Sequence, residues 1–194
     1  MKHEGWAGLA DPVQMTRLAR YEELLRSIAV PRGMIAASDA GHLRDRHVLD
    51  SLRGAPHIGA EVRRACDIGS GAGLPGVPLA IVLPRIQFVL TESRRARAAF
   101  LELVVDELDL ANTAVFPGRA GDLAERFEAA LARGFGAPAA SWAAAERLLG
   151  PGGVLLYWAG AAFSPDQVPS GVLARVSDDI PLESGGPIVI MARQ

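Results

Sequence analysis

Apolar positions recur along this chain in two rhythms, and the change from one to the other divides it. Asp11-Pro12-Val13 offers a helix N-cap and a first-turn proline, and Met15, Leu18, Tyr21, Leu24, Leu25 and Ile28 then repeat at helical spacing up to about Pro31. A second helix is predicted from Asp39 to Leu52, carrying Leu43, Arg46, His47, Asp50 and Ser51. Beyond it, short unbroken apolar runs take over: Arg64 to Ile68, Ile86 to Thr91, Val115-Phe116 and Val154 to Tyr157 read as strands. Between them Pro75 to Leu83, the segment after Ser93 with Phe100, Leu101, Val104 and Leu108, and Ala139 to Leu149 read as helices, with Ser93 as cap of the second. Gly150-Pro151-Gly152-Gly153 is expected to stop the third.

Strands alternating with helices predict an α/β fold on a parallel sheet. Val172 to Val176 and Ile188 to Met191, around Gly185-Gly186-Pro187, read as a closing antiparallel pair. The stretch from Ala124 to Arg133 is ambiguous, because Leu123, Phe127, Ala130 and Leu131 also fit a helix.

The first strand ends in Asp67 and then in the spaced glycines Gly69, Gly71 and Gly73. A turn that presses its backbone against a ligand needs positive φ and no Cβ in the way. The helix that follows would point its free N–H groups at the same place, which suits a nucleotide-like cofactor. Glu92 closes the next apolar run, so both carboxylates fall in the crevice at the strand ends, where Glu92 can take hydrogen bonds from two ribose hydroxyls. Glu92 lies about 20 residues beyond the glycines, a spacing shared with dinucleotide folds, and Gly71-x-Gly73-x-x-Gly76 satisfies that fingerprint too. The form Asp67-x-Gly-x-Gly-x-Gly, with the acid ahead of the glycines, resembles instead the first motif of class I S-adenosylmethionine-dependent methyltransferases.

Three segments narrow the resemblance. Arg46-His47-Val48-Leu49-Asp50-Ser51-Leu52, the run from Asp67 through Gly-Leu-Pro-Gly-x-Pro-Leu-Ala to Ile81, and Gly118-Arg119-Ala120 are similar to the bacterial GidB/RsmG family, over roughly Asp45 to Gly160. The resemblance implies methylation of N7 of a guanine in 16S ribosomal RNA. It also implies the class I Rossmann-like fold: a mostly parallel seven-stranded sheet with an N-terminal helical cap, one domain over 1–194 with the cap at 1–60 and the cofactor-binding core at 61–194. Phe127 to Ala132 aligns with the family's fourth strand, placing Arg133 at the strand end. The cofactor set implied is Asp67, Gly69, Gly71, Gly73, Leu74, Glu92, Ser93, Arg119, Ala120, Gly121 and Arg133 around S-adenosylmethionine, and the catalytic set is Arg133, Asp50 and His47. His47 and Asp50 read equally as a locally paired, solvent-facing helix segment. The family pattern breaks ahead of the His-x-x-Asp-Ser segment, where the usual Asn-Leu-Thr is absent, at Ala96, where a lysine is usual, and at Trp158-Ala159-Gly160, which replaces a Lys-Gly; Gly121 stands where an acid is usual, leaving Asp122 to meet the adenine amino group.

Composition changes this picture little. At 194 residues, 49% of them hydrophobic, the chain suits one α/β domain. A net charge of −2 gives no global pull toward RNA. A local patch must supply it, and Arg44, Arg46, Arg94, Arg95 and Arg97 are the candidates; all basic residues but Lys2 are arginine. The single Cys66 excludes an internal disulfide and a Cys-rich zinc site, and His42, His47 and His57 match no ligand spacing, so no metal is expected. With no apolar leader after Lys2 and no long apolar span, a cytoplasmic monomer without membrane contact is expected, its partner being 16S rRNA or the 30S subunit.

Guanine N7 carries a lone pair and no proton, so its methylation needs alignment but no general base. Cytosine C5 chemistry would need a cysteine nucleophile, and Cys66 lies inside a strand. Methylation of exocyclic amines usually shows an Asn/Asp-Pro-Pro-aromatic loop, which Arg133-Gly134-Phe135 lacks. A divergent methyltransferase for a small molecule or another RNA, and a cofactor-binding protein without catalysis, stay open.

Overall fold

The computed structural model describes residues 10–177 and 185–194. Seven strands form one sheet: β1 (Arg64–Ile68), β2 (Gln87–Thr91), β3 (Thr113–Phe116), β4 (Phe127–Arg133), β5 (Leu149–Trp158), β6 (Val172–Val176) and β7 (Ile188–Arg193), in the order β3-β2-β1-β4-β5-β7-β6. β1 to β5 run parallel, and β7 runs antiparallel to both β5 and β6. The order reverses at β1, so the carboxyl ends of β1 and β4 open the crevice in which such sheets hold ligands.

The first helix, α1 (Pro12–Leu24), starts as its sequence predicts. Asp11 Oδ1 accepts from the Gln14 N–H while Gln14 Oε1 accepts from the Asp11 N–H, a reciprocal cap at 2.9 Å each. It continues as a π-helical turn, Leu25–Ala29. The predicted second helix begins later than Asp39: Ala37–Asp39 is a 3₁₀ turn, Leu43–Leu49 is π-helical, and only Asp50–Leu52 (α2) is α-helical. Leu18, Tyr21, Leu25, Leu43, Val48 and Leu52 from these segments bury themselves with Phe100, Leu101 and Val104 of α4 (Arg95–Glu107). α3 (Gly76–Val82) packs on the same side of the sheet, sharing Leu79 and Ala80 with Phe88, Leu131 and Leu156.

Burial on both faces resolves the ambiguity at 124–133. Ala130 and Ala132 face a cluster with Trp142 of α5 (Pro138–Glu146), whereas Ala129 and Leu131 face the α3 side. A strand covered on both faces has no polar alternation to show.

Two expectations are corrected. Leu149 does not end α5, which stops at Glu146, and Gly150-Pro151-Gly152-Gly153 is no helix stop but an irregularity inside β5: the pairing passes from Phe127–Leu149 to Ala129–Val154. Nor does Ser93 cap α4. Arg94 occupies the cap position without a side-chain bond, and its N–H donates to Glu92 Oε1 at 2.8 Å.

Candidate functional site

The register β1–β2 pairs Ile68 with Thr91, which sets the glycine loop beside Glu92. The Ser70 N–H donates to the Thr91 carbonyl (2.8 Å), the Gly69 N–H to Thr91 Oγ1 (3.2 Å) and the Gly71 N–H to Glu92 Oε2 (3.1 Å). Gly69 and Gly71 hold φ of +67° and +60°, values that side chains rarely adopt. Gly73 shares that backbone requirement at φ +98°, and a Cβ on it would also lie 2.7 Å from Val77 Cγ2. Gly76 serves packing: a Cβ there would lie 2.6 Å from Asp67 Oδ2.

Two clefts open at the carboxyl ends of the strands. The first, about 300 Å³, is lined by Gly69, Glu92, Ser93, Arg119, Ala120 and Gly121 with Thr91 and Phe135. Six of the predicted cofactor residues thus meet there. Asp67, Gly71, Gly73 and Leu74 do not line it: Gly71 gives its N–H to Glu92, and the other three are buried behind the loop or packed within it. Asp122 is exposed beside the 3₁₀ turn Ala120–Asp122 and is not among the lining residues either.

Asp67 is 1% exposed. Its Oδ2 accepts from the Gly76 N–H at 3.0 Å, and among the described residues its buried Oδ1 has no partner. Burial pushes its carboxyl up to about 7, against the pull of its bonds from Ser70 and Gly76 and of Arg133. Burial likewise raises the thiol of Cys66, which is fully enclosed in β1 and serves as filler.

The second cleft, about 380 Å³, lies beyond β4 and β5 and is lined by Arg46, Asp50, Arg133, Tyr157, Trp158 and five glycines, among them Gly134 and Gly136. Two of the three predicted catalytic residues, Asp50 and Arg133, line it, and the third, His47, meets Arg133 without lining the cleft. Asp50 is buried, with Oδ2 accepting from Arg133 Nε (2.9 Å) and Oδ1 from Arg53 Nη1 (2.8 Å). Arg133 Nη2 also donates to the Arg46 carbonyl at 2.7 Å. His47 Nδ1 lies 3.4 Å from Arg133 Nη1, and its Nε2 lies 3.3 Å from Asp39 Oδ2. Arginine can only donate, so Nδ1 carries the lone pair and Nε2 the proton, donated to Asp39. Burial, then the Arg133 charge, lowers the His47 pKa against the opposing pull of Asp39 and Asp50, so the ring is neutral at neutral pH.

Pattern reading missed several of these residues. Arg53 stands three positions after Asp50, a spacing that places both on one helix face. Trp158, opposite Arg133 in the β4–β5 register, donates from Nε1 to the Asp50 carbonyl at 2.8 Å, and its ring fills the space over Gly54, where a Cβ would lie 2.5 Å from ring atoms. Phe135 lies over Gly69, 2.8 Å from where a Cβ would be. The five-arginine patch is not assembled as expected: Arg44 turns to Glu22 of α1 (3.0 Å), while Arg97 reaches toward Gly71 and Arg46 lines the second cleft.

Sheet order, glycine loop and acid-tipped β2 define the class I S-adenosylmethionine-dependent methyltransferase fold. In agreement, the fold overlays on an O-methyltransferase of Bacillus cereus (TM-score 0.63, 15% identity, 91% of each chain) and on the O-methyltransferase TomG of Streptomyces achromogenes (TM-score 0.60, 17% identity, 100% and 99%). Within that class the chain belongs to the GidB family, rRNA small subunit methyltransferase G, whose model matches residues 14–168. A curated relative of that name from Mycolicibacterium paratuberculosis is 44% identical over 60% of this chain and 46% of its own length. Another from Methylococcus capsulatus is 39% identical over 74% of this chain and 70% of its own. The chain thus spans about half the length of several relatives that it matches.

Proposed function

We propose that this chain transfers the methyl group of S-adenosylmethionine to N7 of a guanine in 16S ribosomal RNA, acting as a single methyltransferase domain, monomeric and cytoplasmic. The observation that carries the reading is the junction of the clefts. Phe135 lines the smaller one, its neighbours Gly134 and Gly136 line the larger, and the larger is open and edged by Arg46 and Arg133. A small-molecule enzyme calls for an enclosed apolar chamber over the donor, and this cleft is neither. Family membership and the names of the relatives point the same way.

The residues of the smaller cleft fit S-adenosylmethionine. Glu92, which now holds two backbone N–H groups of its own loop, offers a carboxylate to the ribose hydroxyls, and Arg119, Ala120, Gly121 and Ser93 frame the base. When bound, the cofactor provides an electrophilic methyl on a sulfonium. The protein's part is then alignment and exclusion of water, since N7 has no proton to remove. Asp50 fits that account: with both oxygens engaged by arginines it is no general base, and it and His47 act as positioning residues for Arg133.

The test is incubation with labelled donor and undermodified 30S subunits or 16S RNA, followed by mapping of the methyl group. Label on a guanine N7 supports the reading. Label on another atom leaves only the fold and the donor, and intact donor binding without transfer makes the chain a cofactor-binding protein.

A further inference from the structure

Among the described residues, two guanidiniums and one carboxylate line the larger cleft. The carboxylate, Asp50, has both oxygens bound by guanidiniums, those of Arg133 and Arg53. Behind it Asp39 meets Arg46 at 3.2 Å. His47, neutral through its bond from Arg133, adds no charge. Arg46 and Arg133 thus present positive charge to the cleft from a partly dehydrated wall, with the Arg133 side chain 20% exposed.

Arg133 is also held in one orientation with donors to spare. Asp50 Oδ2, the Arg46 carbonyl and His47 Nδ1 engage three of the five N–H groups of a guanidinium. Opposite, the backbone is bare: added Cβ atoms at Gly134 and Gly160 would meet nothing within 4 Å. A fixed guanidinium beside side-chain-free backbone is the chemistry that receives a tetrahedral oxyanion. The reaction argues against a base lying on this wall, because N7 methylation makes the purine cationic and the wall would repel it.

We propose that this wall, Arg133 and Arg46 over the glycine backbone, is a phosphate subsite that seats the acceptor polynucleotide next to the reacting base. The inference rests on the RNA reading above. An oxyanion could also come from the donor as its carboxylate, and the S-adenosylhomocysteine arm of the test separates the two sources.

The test measures S-adenosylhomocysteine, 5′-methylthioadenosine and 16S RNA binding to the wild type, Arg133→Gln and Arg46→Gln, with thermal unfolding to confirm folding; Arg46 is 44% exposed at its side chain and is the variant safer for the fold. Expected are S-adenosylhomocysteine affinities within about twofold of wild type, and an RNA affinity whose dependence on log salt is shallower by about one for each variant. Inorganic phosphate should compete with the RNA and leave S-adenosylhomocysteine untouched. A tenfold loss of S-adenosylhomocysteine affinity in Arg133→Gln, with 5′-methylthioadenosine unchanged, would assign the wall to the donor carboxylate and overturn the proposal, as would salt slopes equal to wild type. If the wild type binds no RNA at all, the function itself fails; phosphate-dependent NMR shifts of the Arg133 Nε–H would then still report an anion site, and their absence would remove it.

Discussion

Tyr21 Oη donates to the carbonyl of Ala72 at 2.7 Å, tying α1 to the middle of the glycine loop. Tyr21 is fully buried, so the bond has no water to replace it. Tyr21→Phe should lower stability by about 1–2 kcal/mol in urea unfolding, through the orphaned carbonyl. It should also weaken S-adenosylmethionine binding in calorimetry. Unchanged donor affinity would limit the bond to folding.

Glu92 bridges the same loop from the other side, through the N–H groups of Gly71 and Arg94. Glu92→Ala should weaken S-adenosylmethionine by about 1.5–3 kcal/mol, the size of a lost charge-assisted bond. Calorimetry with NAD as a second ligand is the control, and a preference for NAD would contradict the assigned class.

Asp67 should leave a mark on stability. Its folded pKa, about 7, lies above the value near 3.9 of an unfolded chain, so the unfolded state loses its proton first as pH rises. The favourable contribution is complete below about pH 4 and is lost between there and about pH 7, amounting to no more than about 4 kcal/mol. Asp67→Asn should therefore gain stability relative to wild type across that window and no further above it, as followed by denaturant unfolding at several pH values.

His47 should give the proposed methyl transfer an acid limb. Its folded pKa is lowered, so at neutral pH the ring is uncharged; below that pKa a proton on Nδ1 faces the Arg133 guanidinium, with Asp39, Asp50 and Arg46 as the other charges around it. Methyl transfer should fall in a one-proton step below the ordinary histidine range near 6.5, and stability should decline with it. His47→Asn, whose amide oxygen can accept from Arg133 without titrating, should keep activity and lose that step in the pH–rate profile.

The legible parts of this molecule were those in which local chemistry and tertiary role agree. Asp11 and Gln14 announce α1, Asp67 and Glu92 tip their strands, and Gly69 and Gly71 are glycines for a backbone reason. What stayed hidden was decided by partners distant in sequence. Gly150 to Gly153 reads as a turn in isolation, yet its neighbours Leu149 and Val154 both pair with β4. Leu43–Leu49 takes π-helical bonding, a choice no residue in it encodes alone. Gly73 has the positive φ its place in the motif predicts, but it does not line the cleft, because the sequence does not say that Tyr21, Val77 and Leu101 converge on it. Arg53 escaped because its importance exists only once Asp50 is buried beside Arg133.

The indole of Trp158 and the bare backbone of Gly54 form a lock whose halves fit only each other. Loss of the indole at 158 would leave the slot over Gly54 vacant and the Asp50 carbonyl without its donor; a side chain at 54 would drive the indole out. In evolutionary terms the two sites behave as one inherited character. Lineages that exchange the tryptophan for a smaller side chain should refill position 54 in the same step, so covariation between these positions traces when this wall of the cleft changed its chemistry.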